Sequence, residues 1–389
     1  MIAYNKTSLH NLAVVKLAEK EYDEGLVPEP ELNKIKAAYP VGFYSPNIFI
    51  RAGLFILTCV ISTCACGFVS LLMMETDMVT TYGWLIFLGI LNYVALEVIV
   101  QQKHHFSSGA DDALLWICAG LFTVSFVWAT DSIDKSSNIT IAGFVFLLST
   151  ALTLRFSDRL QALISFLSAA AITFFSWQKL GSVGLLTMPF VLMLFSGSSF
   201  VLLKKIKAKT EAHFYNTSIA VAEIASLILL YLAGNYYIVK ELGDMLAGFS
   251  SKSIPYGGIF WLWTMALPLV YLFLGIRKKK IKLLRLGFLL TVCSVLTFRN
   301  YYHLLPVEYA LIIAGIIALV VSYLITKYLK SPKHSFTSVE LNRHDLAGKL
   351  NLESLIISET LSGTGKPAEH ENSPFGGGKF GGGGAEGEF

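Results

Sequence analysis

The chain has 389 residues, of which 54% are apolar and 15% charged, with a formal net charge of +4. Roughly a quarter of the residues of an average soluble domain are charged, so too little polar surface exists here to clothe a water-soluble globule. The small positive excess suits a membrane face against anionic lipid and is no nucleic-acid signal.

Residues 1–47 are polar and read as a short cytoplasmic helical hairpin. Ser8 is expected to cap a helix running to about Glu24, with Leu9, Leu12, Val15 and Tyr22 as its apolar stripe. Gly25 ends it, Pro28 or Pro30 opens a second helix carrying Leu32, Ile35 and Tyr39, and Pro40 and Pro46 stop that one. Such a pair cannot hold a core of its own. It should pack on the inner face of a bundle or on a partner, or else serve as a loosely ordered anchor.

From residue 48 to 330 the sequence is a transmembrane domain. Ten apolar runs are predicted to span: 52–74, 82–100, 113–130, 139–154, 160–177, 185–203, 218–238, 256–276, 281–298 and 309–329. A run of about 20 apolar residues matches the hydrocarbon thickness of a bilayer. The fold class is therefore all-α, a polytopic bundle of about ten spans. The first run is too long for the apolar region of a signal peptide and is expected to act as the insertion signal itself.

Positive charge gives the orientation. One set of alternate connections carries Lys103, then Arg155 and Arg159, then Lys204, Lys205, Lys207 and Lys209, then Arg277 to Lys280 with Lys282 and Arg285. The other set has only Lys135, Lys179, Lys240, Lys252 and Arg299. The positive-inside rule makes the first set cytoplasmic and places both termini in the cytoplasm. Trp84, Trp128 and Trp177 fall at predicted outer ends, where amphipathic rings favour the headgroup layer, whereas Trp116 does not fit that belt. Cys59, Cys64, Cys66, Cys118 and Cys293 all lie in spans, which argues against a disulfide framework, and Cys64-x-Cys66 is too close for zinc.

The last domain, 331–389, is a hydrophilic cytoplasmic tail. A weak helix is expected from Ser338 to about Leu361, and from about residue 363 the Gly-rich composition predicts disorder. The tail is a candidate attachment point for a cytoplasmic protein, or simply a flexible end.

Two resemblances stand beside these readings. The segment from Lys16 to Ile61, KLAEKEYDEGLVPEPELNKIKAAYP followed by a Gly-containing apolar run, resembles the opening of a bacterial family of polytopic membrane proteins classified only as a domain of unknown function. That family combines a short helix, a Gly followed by an aliphatic residue, an acidic second helix and many close spans. The resemblance implies a bacterial inner-membrane location and this architecture, and it carries over no catalytic residue. The ending Phe375-Gly-Gly-Gly-Lys-Phe380 with its glycine run is similar to the tails of other bacterial membrane-anchored proteins.

Ionisable residues at membrane depth are costly and hence functional candidates. Glu97 and Glu223 lie near the inner ends of the second and seventh spans, Asp111 and Asp112 where the third begins, and His104 and His105 in the loop before it. These six could form an ion or solute site, or be loop residues plus structural ion pairs to Lys103, Arg155 or Arg159. Adjacent histidines cannot easily reach one ion and no His-Glu-x-x-His helix occurs, so no metal site is expected. No nucleotide loop or nucleophile elbow appears, and no cofactor or catalytic residue is indicated. Asn92, Ser196 to Ser199, Pro189, Gly234-Asn235 and Pro268 interrupt the spans, for helix packing or for a midplane cavity. On the outer side Arg299, Asn300, His303 and Glu308 bracket a turn, as a cap of the last helices or an outer gate. The reading that follows is a secondary-transporter-like bundle for a small solute or ion. The alternatives are a non-catalytic scaffold or sensor that binds cytoplasmic partners, and, further off, a membrane-embedded enzyme.

Overall fold

A computed structural model describes residues 2–23, 25–133, 138–209, 214–247 and 254–302, together with scattered positions between 315 and 327. The tenth predicted span, His303, Glu308 and the tail lie outside these residues or are only touched by them. The described residues form helices α1 (Lys6–Asp23), α2 (Glu29–Ala38), α3 (Ile48–Leu72), α4 (Tyr82–Gln102), α5 (Ala110–Ile133), α6 (Asn138–Phe156), α7 (Arg159–Gln178), α8 (Gly181–Lys207), α9 (Asn216–Gly234), α10 (Tyr236–Ala247), α11 (Gly257–Arg277) and α12 (Ile281–Tyr301). Nine of them, α3 to α9 with α11 and α12, are long and apolar enough to cross a membrane. Their side chains expose large apolar residues that only lipid or another apolar partner can cover, such as Ile56, Leu57 and Phe68 on α3 and Phe288, Val292 and Leu296 on α12.

Each span begins and ends close to the position read from sequence, because its apolar run sets its length. Local chemistry fixes the starts. Asn47, just after Pro46, accepts the Ile50 amide at 3.1 Å and caps α3; Asp158 accepts the Gln161 amide at 2.8 Å and caps α7. The α1 cap is Asn5, whose Oδ1 takes the Thr7 amide at 2.9 Å and the Ser8 amide at 3.4 Å. Ser8 therefore lies inside the helix rather than at its start, since the chain turns helical one residue after Asn5.

The seventh predicted span is shorter than expected. Helix α9 stops at Gly234, and Asn235 anchors the break by donating to the Tyr231 hydroxyl and the Thr297 hydroxyl, both at 3.0 Å, while its Oδ1 accepts the Ile238 amide at 3.2 Å. The chain then turns into α10, a short amphipathic helix with Ile238, Val239, Leu242 and Leu246 lining an apolar cavity of about 490 Å³ against α8, α9 and α11.

Packing runs in sequence order. Sequential hairpins, α4 with α5, α6 with α7, α8 with α9 and α11 with α12, make the most extensive pairings; α3 lies on α5, α7 bridges to α8 and α9, and α9 meets α11. Asn92 ties α4 to α3 by accepting from the Ser62 hydroxyl, with Cys66 Sγ at 3.3 Å, and it donates to the Leu88 carbonyl of its own helix at 2.9 Å. Pro189 and Pro268 sit inside helices that continue through them, and Pro268 is fully buried. Pro268 is thus part of the helix packing, whereas Pro189 lines the apolar cavity beside α10.

One face of the bundle carries the N-terminal hairpin. Leu9, Leu12, Val15 and Ala18 are buried along α1, and Leu9 and Tyr4 join a cluster with Leu96, Val100, Leu114, Leu115 and Phe156. The Tyr4 ring lies edge-on to Phe106 at 4.9 Å and to Phe43 at 6.0 Å, and the Ala3 amide donates to the Arg155 carbonyl at 2.8 Å. Tyr44 pairs with the α4–α5 loop through its amide to the His104 carbonyl and its carbonyl to the Phe106 amide.

Candidate solute site at the hairpin face

Between α1 and the span ends lies a cavity of about 540 Å³. Its roof is Leu12, Ala13 and Lys16 of α1. Its walls are Arg51 at the start of α3, Asp111 and Asp112 at the start of α5, Asp158 and Arg159 at the start of α7, and Asn216 and Thr217 at the start of α9. Leu96, Leu115, Leu163 and Val221 form an apolar floor. The volume falls within the roughly 300–1,000 Å³ of ordinary small-molecule pockets.

Loop geometry places the acids. The α4–α5 connection takes left-handed conformations at His104, Ser107 and Gly109, which turns the Ser107 and Ser108 amides onto Asp111. Its carboxylate accepts them at 2.7 and 2.8 Å and the Ser108 hydroxyl at 3.0 Å. Gly109 also allows α3 to approach, since a Cβ there would stand 2.1 Å from the Arg51 carbonyl oxygen. The approach brings the Arg51 guanidinium onto Asp112, with Nε at 3.0 Å and Nη2 at 2.6 Å from one oxygen.

The six residues singled out from sequence do not converge on one centre. Asp111 and Asp112 line the cavity. His105 stands beside them, its Nδ1 2.8 Å from the Ser108 hydroxyl, and burial holds its imidazole below the ordinary histidine range against the opposing pull of Asp111. His104 is exposed, and its part is the carbonyl that takes the Tyr44 amide. Glu97 sits apart, bound by Arg155 through Nε at 2.9 Å and Nη2 at 3.0 Å, by the Tyr93 hydroxyl at 2.8 Å and by Gln101. Glu223 is held by Lys207 at 3.0 Å. Among the described residues no hydrogen bond or ion pair joins Glu223 to the other five, and no group of three or more His, Cys, Asp or Glu side chains there is arranged to hold a metal ion.

Sequence reasoning overlooked Lys16, Arg51 and Arg159 as lining residues. Arg51 and Arg159 open spans and Lys16 is the lone cation near the middle of the α1 apolar stripe, which was the available signal. Trp116, which did not fit the outer belt, lies at the opposite face: it lines this cavity and packs against Phe55 at 5.2 Å.

A row of apolar hairpins capped by a small polar helical pair defines an integral, multi-pass α-helical membrane protein. Compared with protein-family models, with curated proteins and with solved structures, the chain matches none.

Proposed function

We propose that this protein is a solute-responsive sensor or scaffold of the bacterial inner membrane, in which the N-terminal hairpin closes a binding cavity at the cytoplasmic face. One observation carries this reading: the cavity is lined by α1 and by six spans together, α3 to α7 with α9, so a solute that fills it changes how firmly the hairpin is docked. The excess of Lys and Arg in the connections on the hairpin's side supports a cytoplasmic assignment. The bacterial location rests on the resemblance of Lys16 to Ile61 to the polytopic family of unknown function.

A secondary carrier would use the same space as an inward-facing vestibule. The ion pairs weigh against coupling through Glu97 or Glu223, because each carboxylate already has its own cation. A thermal-unfolding screen of the purified full chain against anionic, cationic and zwitterionic small solutes tests the proposal. A stabilising class should lose its effect in Ala13→Trp, which fills the roof. Concentrative uptake into proteoliposomes, abolished by Glu223→Gln at unchanged stability, would overturn it in favour of the carrier.

A further inference from the structure

The cavity wall holds three cations and three acids, yet their situations differ. Asp111 is 4% exposed and committed to two amides and a hydroxyl. Asp112 is committed to Arg51, and Asp158 caps α7 through the Gln161 amide at 2.8 Å. Among the described residues, Lys16 and Arg159 have no carboxylate within ion-pair distance; the Lys16 ammonium rests 6.0 Å from the centre of the Phe106 ring.

We propose that Lys16 and Arg159 form the anion-binding end of this cavity, which takes a phosphate- or carboxylate-bearing amphiphile with its apolar body on Leu96, Leu115 and Leu163. Charge-assisted hydrogen bonds to both cations would orient the head. The apolar floor excludes a purely polar anion as the best-fitting guest, since it would leave that surface uncovered. A second observation agrees: burial, and then the nearby Arg159 guanidinium, hold the Lys16 ammonium below the ordinary lysine range, with Glu19 opposing and Arg51 adding to the depression. Two cations repelling each other at a half-apolar cavity are relieved by an anion between them. This inference rests on the reading of the cavity as a solute site.

The test uses the full-length protein in a neutral detergent with octyl phosphate as probe, and 1-octanol and octylammonium as neutral and cationic comparators. Octyl phosphate should bind at least tenfold more tightly than octanol. Lys16→Gln with Arg159→Gln should bring it to the octanol level while the ligand-free melting temperature is kept, and Lys103→Gln, outside the cavity, should change nothing. Octylammonium binding best, or octyl phosphate binding equally to the double variant, overturns the anion assignment. If Ala13→Trp still blocks whichever probe binds, the cavity reading survives that failure; if it blocks none, both fall. Repeating the titration in nanodiscs identifies the source. Competition by phosphatidylglycerol, absent with phosphatidylcholine alone, assigns the head to a membrane lipid, and equal affinity in both assigns it to a soluble amphiphile.

Discussion

Glu97 was singled out because a carboxylate at membrane depth has to be either functional or neutralised. The structure shows the means of neutralisation: two nitrogens of Arg155, the Tyr93 hydroxyl and Gln101 occupy both of its oxygens. Arg155→Ala should therefore cost about 1–3 kcal/mol, the usual penalty for leaving a partly buried charged group short of partners, read as a lower melting temperature in detergent. Unchanged melting would show that the pair is only a surface contact. His105 gives a pH dependence of definite sign. Its folded-state affinity for protons is below that of the unfolded chain, so the unfolded state binds more protons between the two pKa values and stability rises with pH there. Acidification from about pH 7 through the ordinary histidine pKa of about 6.5 should lower the melting temperature, and His105→Asn should flatten that slope. At this scale the sequence was half legible. Arg155 could be named as a structural partner because it ends a span at the same face. The pairing of Asp112 with Arg51, 61 residues away, depends on how α3 lies against α5, which no local pattern encodes.

Among elements, the spans were legible because an apolar run of bilayer length has few other solutions. Helix α10 was not. Tyr236 to Val239 continue the apolar character of α9, and the break between the helices is held by Thr297 on α12 and by the Thr264 hydroxyl taking the Tyr236 amide at 2.9 Å, contacts that exist only after packing. The hairpin was anticipated as two short helices, while its docking through Tyr4, Leu9 and the Ala3 amide required the tertiary structure. The junction of α3 and α5 has one position that tolerates no side chain. Gly109→Ala would force a left-handed residue and a Cβ onto the Arg51 carbonyl, at a cost above about 2 kcal/mol, and the yield of folded protein should drop sharply. Gly120→Ala, with nothing within 4 Å of the added carbon, is the control and should be neutral.

At the scale of the whole molecule, the named contacts divide span ends into two faces. Arg51, Glu97, Asp112, Arg155, Ser157, Lys207 and Glu223 make their contacts near the span ends on one side, whereas Trp84, Trp177, Asn235 and Thr297 make theirs toward the other end. With the five native cysteines replaced, a single cysteine at Thr76 should react with an impermeant reagent added outside intact cells, and one at Lys103 should not. The reverse pattern would invert the proposed orientation while leaving the packing intact. Helix α1 is a docked roof over a half-apolar cavity rather than a tethered, solvated helix. Hydrogen–deuterium exchange of the full-length protein in nanodiscs tests this directly. The amides of α1 around Leu12 and Val15 should exchange orders of magnitude more slowly than an unstructured peptide, and Tyr4→Ala with Leu9→Ala should release that protection. Exchange of α1 at the unprotected rate in the unmodified protein would contradict the docking of α1.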